Sequence, residues 1–82
     1  MVHVQLDFSA IPKLKSRENY VLWRMVLRNY LEANDLWLHG QPKNTPHARF
    51  IILTTVESFL VLPEFDHYTA SEILIYFTSA FD

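Results

Sequence analysis

Eighty-two residues make one small domain or part of a larger one, because a chain this short buries only about 60 to 65% of its unfolded surface and has no room for two cores. Half the residues are apolar, 15% are aromatic and none is cysteine, so neither disulfides nor thiolate metal sites staple the fold and apolar burial has to hold it. The net charge of −2 is unevenly spread: residues 1–49 carry all seven Lys and Arg against four acids (Asp7, Glu18, Glu32, Asp35), a balance of +3, whereas residues 50–82 carry five acids and no Lys or Arg, a balance of −5.

The chain begins with Val2, Val4, Leu6 and Phe8 alternating with His3, Gln5 and Asp7, the period of a half-buried strand. Such an arm over 2–8 either packs on the helices of its own chain or pairs with the same segment of another copy, since an exposed strand edge is a template for pairing. Pro12 makes the stretch up to Lys15 a connector. From there the spacing of Tyr20, Trp23, Leu27, Tyr30 and Leu31 predicts a helix over 17–33, capped by Ser16 or Asn19. Val21, Leu22, Met25 and Val26 widen its apolar stripe, which predicts that more than one neighbour covers it. Arg17, Arg24 and Arg28 mark its wet side.

Asn34 and Asp35 interrupt the pattern and Leu36 and Trp37 resume it, so a short second helix is expected over 35–39, with Gly40 in the left-handed position that ends a helix. Gln41 to Asn44 reads as a loop. Thr45 followed by Pro46 is a helix start, and the apolar positions that follow predict a helix over 46–62, stopped by Pro63. Pro63 to Tyr68 is an acidic and aromatic connection. Thr69-Ala70-Ser71-Glu72 has the spacing of a capping box and opens a last helix over 70–81, striped by Ile73, Leu74, Tyr76, Phe77, Ala80 and Phe81. The expected fold is therefore all-α, a small bundle of about four helices with an extended N-terminal arm.

Residue chemistry points away from catalysis. His3, His39, His47 and His67 share no metal-binding spacing, a single glycine cannot build a phosphate loop, and no serine sits in a nucleophile elbow. Glu64 and Asp66 read as solvated charges. Trp23 and Trp37 read as packing, since basic residues are not interleaved around Trp37 as they are in base-stacking platforms. No enzyme activity, cofactor, metal or small-molecule substrate is expected. Apolar runs such as Phe50 to Leu53 fall far short of a membrane span, and the first residues lack the pattern of a leader. A soluble protein of the cytoplasm is the expectation.

The run KLKSRENYVLWRMVLRNYLEANDLW resembles the start of the Gag polyprotein of copia-type long-terminal-repeat retrotransposons. Leu14, Asn19, Tyr20, Trp23, Leu31, Leu36 and Trp37 fall on that family's positions, with Leu27 on the same buried stripe, and HARFIILTTVESFL followed by TASEILIYF is similar to its next helix and to its helix start at Thr69, Ala70 and Glu72. The similarity covers residues 12–82. Ile73 and Leu74 and their neighbours in EILIYF stand where many relatives have a tryptophan. The resemblance implies an N-terminal capsid-like Gag domain, or a host gene domesticated from one, whose work is assembly into particles rather than catalysis. It divides the chain into an arm and connector (1–15) and a helical Gag-like domain (16–82), a piece of a longer protein that would contact RNA through its other parts.

Self-association as a dimer or larger homo-oligomer is thus the expected function, with Val2, Val4, Leu6, Phe8, Phe50, Leu53 and Leu60 as candidate contacts. The alternative is a nucleic-acid-binding or protein-adaptor module that uses the basic cluster Lys13, Lys15, Arg17, Arg24 and Arg28, which could attract phosphate.

Overall fold

The computed structural model of the chain describes residues 10–82; the predicted arm, with Val2, Val4, Leu6 and Phe8, lies outside the described residues. Helix α1 spans Arg17–Ala33. Both capping candidates act at its start, in different roles. Ser16 is the N-cap, its Oγ accepting from Glu18 N at 3.2 Å. Asn19 folds back instead: its Oδ1 accepts from the amides of Lys15 (3.0 Å) and Ser16 (3.2 Å), and its Nδ2 donates to the Lys13 carbonyl at 2.7 Å. That one side chain ties the connector to the first turn and so directs Leu14 into the core, where it is fully buried.

The other end of α1 falls at Ala33, where the sequence predicts it, and Asp35 makes the stop. Asp35 adopts a left-handed conformation, φ 58°. The Leu36 amide then donates to the Leu31 carbonyl at 2.7 Å and the Asp35 amide to that of Glu32 at 3.1 Å, which is the paired bonding of a Schellman motif. The helix is terminated at Asp35, and Gly40 ends no helix. No helix forms over 35–39. Trp37–Leu38 (β1) pairs antiparallel with Gln41–Pro42 (β2), Trp37 opposite Pro42 and Leu38 opposite Gln41. His39 and Gly40 between them both have positive φ, 54° and 79°, as a type I′ hairpin turn requires. Gly40 is there to close a hairpin.

Helix α2, Pro46–Thr54, starts as its sequence predicts, with Thr45 Oγ1 accepting from Ala48 N at 3.1 Å. It is shorter than the predicted 46–62. Two threonines turn onto carbonyls behind them, Thr54 Oγ1 donating to Phe50 O (2.7 Å) and Thr55 Oγ1 to Ile52 O (3.0 Å), a competition with the helical ladder that β-branched hydroxyl residues favour. A partner from far away in the chain completes the break. The Leu14 amide donates to the Thr55 carbonyl at 2.8 Å and the Glu57 amide to the Leu14 carbonyl at 3.0 Å, forming an isolated parallel bridge between Leu14 and Val56. Two short 3-10 turns follow, Ser58–Leu60 and Pro63–His67, where the sequence had predicted helix and then irregular connection. Helix α3, Ala70–Phe81, opens on the predicted capping box, with Glu72 N donating to Thr69 Oγ1 (3.2 Å) and Thr69 N to Glu72 Oε1 (2.9 Å).

Among the described residues the result is a small, mostly helical domain of three α-helices and a two-stranded hairpin, in place of four helices. Its centre is Trp23. The indole is fully buried, meets Phe77 edge-on with centroids 5.9 Å apart, and donates Nε1–H to Thr55 Oγ1 at 3.0 Å. Phe77 in turn meets Phe65 edge-on at 5.6 Å. Tyr20, Leu27 and Leu31 complete the inner face of α1. The last turns of α3 are fixed to that face by a 2.7 Å hydrogen bond between the Tyr20 and Thr78 hydroxyls, and its first turn to the hairpin by Ser71 Oγ donating to Pro42 O at 3.1 Å. Among the described residues no buried side-chain polar atom lacks a partner, as a well-formed interior demands.

Candidate interaction surface

The outer face of α1 carries the feature that the core does not account for. Val21, Leu22 and Met25 are 71%, 50% and 55% exposed; the expectation that a second neighbour covers them is not met within the described residues. They belong to a helix whose opposite side is sealed. At steps of three, four and seven residues, Val21 and Met25 share a side with Arg17, Arg24 and Arg28. That side forms a groove of about 570 Å³, walled by α1 from Tyr20 to Glu32 and closed at one edge by Thr78 and Asp82 of α3.

Charge along the groove is graded. Arg28 Nε lies 3.2 Å from Glu32 Oε1, and its guanidinium stands 5.5 Å from the centre of the Trp37 ring, so it is held at one end by an ion pair and a cation–π contact. Arg17 and Arg24 have no ion-pair partner among the described residues. Asn29, by contrast, is spent on its own helix, its Nδ2 donating to the Met25 carbonyl at 2.9 Å. The open end of the groove thus presents cationic and apolar groups side by side.

The other predicted positions separate into packing and surface. Leu14, Tyr20, Trp23, Leu27, Leu31 and Leu36 are all buried, Trp37 is half-buried under Arg28, and Asn19, Thr69 and Glu72 serve helix starts. The family-like residues are therefore a packing and capping set. Of the described association candidates, Phe50 is 58% exposed, while Leu53 and Leu60 pack partly against the core and offer less surface than expected. Lys13 and Lys15 flank the connector and are not in the groove lining; only Arg24 and Arg28 of the basic cluster are. The sequence reading missed Val21, Leu22 and Met25 as surface, along with Leu38, Phe59 and Ile75.

A second, smaller hollow of about 260 Å³ lies between the starts of α2 and α3, where Arg49 pairs with Asp66 at 3.5 Å. Beside it Tyr68 donates to Glu64 Oε2 at 3.4 Å. Burial, the charge and hydrogen bond of Glu64 and the charge of Glu72 raise the Tyr68 pKa above the ordinary phenol value, so this hydroxyl stays a neutral donor. Among the described residues no three His, Asp or Glu converge as a metal site, and no helix is long and apolar enough to cross a membrane. No family model, curated protein or solved structure matches the chain.

Proposed function

We propose that this chain is a structural self-association module, the helical assembly domain of a copia-type retrotransposon Gag or of a host gene domesticated from one, working in the cytoplasm by gripping other copies of itself. The observation that carries the reading is the exposed cluster Val21, Leu22 and Met25 on a helix whose inner face is already complete. Clustered apolar surface on a small domain marks a contact site more often than chance exposure. The family resemblance supports the same reading, because the residues that carry it build the shape and leave the outer face free to make contacts. No catalysis is assigned.

The test is mass in solution. Light scattering and sedimentation between roughly 1 μM and 1 mM, the range of weak to moderate protein contacts, should show the average mass rising with concentration. The double variant Leu22→Ser/Met25→Ser should stay monomeric while keeping the parent's melting curve. A parent protein that is monomeric throughout overturns the proposal.

A second reading has one observation behind it, the shared side of Arg17, Arg24 and Arg28, which suits a phosphate backbone. Binding of a labelled RNA that falls steeply as salt rises, without self-association, would favour it.

A further inference from the structure

The two halves of the chain differ in charge sign, +3 over residues 1–49 and −5 over residues 50–82, and each half presents an exposed face in which charge and apolar surface alternate. On α1 that face is Arg17, Val21 and Met25, all exposed, with the half-buried Arg24 among them. On the other half it is Glu64 and Glu72 with Ile75 and Tyr76. Glu72, Ile75 and Tyr76 stand at i, i+3 and i+4 of α3 and so share one side of it; Ile75 is 60% exposed and Tyr76 is at the edge of exposure. Glu64 is brought alongside by its own turn: the Tyr68 hydroxyl donates to it, and its neighbour Phe65 meets the Tyr76 ring edge-on with centroids 5.1 Å apart.

Neither carboxylate has a cationic partner among the described residues, nor have Arg17 and Arg24. Within one chain the two faces do not meet, because α3 reaches the groove only through Thr78 and Asp82. We propose that the outer face of α1 of one copy, the groove together with Arg17 beside it, receives the acidic outer face of α3 of another, Arg24 and Arg17 meeting Glu64 and Glu72 while Val21 and Met25 cover Ile75 and Tyr76. This rests on the self-association reading above and names its contact. It is a heterologous contact, since each copy offers two different surfaces. Like faces would bring like charges together, which costs stability; unlike faces remove that cost and let the apolar residues desolvate one another.

Charge-swapped variants test it. Arg17→Glu/Arg24→Glu reverses the α1 face. Glu64→Lys/Ile75→Lys reverses the α3 face and leaves the Glu72 capping bond in place. Sedimentation equilibrium should show that each variant alone associates at least about tenfold more weakly than the parent, a difference of about 1.4 kcal/mol. An equimolar mixture of the two recovers the parent's mass, because a reversed α1 face fits a reversed α3 face. Parent association should also weaken as NaCl rises from roughly 50 to 500 mM, as screening predicts for a contact steered by exposed charges.

If both variants associate as tightly as the parent, or the mixture fails to recover what the single variants lost, this pairing is overturned while self-association stands. A parent that stays monomeric overturns both. If Arg17→Glu/Arg24→Glu leaves association intact but abolishes binding of a labelled single-stranded RNA, this face is a phosphate surface and the pairing is again overturned. Should Arg17→Glu disturb the first turn of α1, visible as a lower melting temperature, Arg24→Glu alone replaces the double variant in the same mixing experiment.

Discussion

The inner and outer faces of α1 are built from the same kinds of residue and have opposite fates. Tyr20, Trp23, Leu27 and Leu31 are buried, Tyr20 and Trp23 against rings of α3, whereas Val21, Leu22 and Met25, one or two positions away in sequence, stay open to solvent. A buried side chain is fixed by many partners, and an exposed one only by the arc of helix it occupies. The difference teaches that the unusual apolar content of the chain is divided between two tasks: one face makes the shape, and the other is available for contact once the shape exists. Substitutions on the two faces should accordingly move different observables.

The largest effect is expected at the centre of the inner face. Trp23→Ala removes the largest enclosed side chain and opens a cavity between Phe77 and Thr55, for a loss of about 3 to 5 kcal/mol. Denaturant titration reads it directly, and a parent-like midpoint would contradict the packing described. Next comes Thr55→Val, nearly the same shape without the hydroxyl that accepts from Trp23 Nε1. The indole N–H is then buried without a partner, at a cost of about 1 to 3 kcal/mol. Thr69→Ala follows: it removes the α3 cap and should cost about 1 kcal/mol.

Local signals were legible where one residue acts on its own neighbours, as Thr45-Pro46 and Thr69 through Glu72 do. They failed where the chain's partner is remote. α2 stops at Thr54 because the backbone around Val56 is taken by Leu14, more than forty positions earlier in the chain, and the apolar run through Leu62 carries no mark of that competitor. The hairpin was misread for a different reason. Gly40 suits any left-handed position, and His39-Gly40 between Trp37-Leu38 and Gln41-Pro42 could have been weighed as a two-residue turn; Asp35, the residue that does end α1, is a rarer occupant of that conformation. Gly40→Ala sharpens this distinction. Its φ of 79° strains any side chain, although no atom lies within 4 Å of the added Cβ, so a modest loss of about 1 kcal/mol is expected, read as a lower midpoint with unchanged helical signal.

The candidate surface was half legible. Arg17 and Arg28 are exposed, as the sequence predicts, while Arg24 is half-buried; helical geometry puts Val21 and Met25 on that same side, which assigns them to solvent as well. The reading that more neighbours would cover them assumed that every apolar residue is buried, a rule that runs only one way, since much of any folded surface is apolar.

The smallest stability effect should therefore belong to the residues with the largest effect on assembly. Leu22→Ser/Met25→Ser removes no internal contact of consequence, and surface changes of this kind stay within about 0.5 kcal/mol per site. The melting curve should barely move while the concentration dependence of the mass disappears. If instead the double variant melts many degrees lower, the outer face contributes to the core after all and the division of α1 into two tasks fails. If it melts like the parent and still associates, the division stands but the contact lies elsewhere, with exposed Phe50 and Phe59 the next surface to alter. Either result locates the apolar surplus, because stability and mass respond to different sides of one helix.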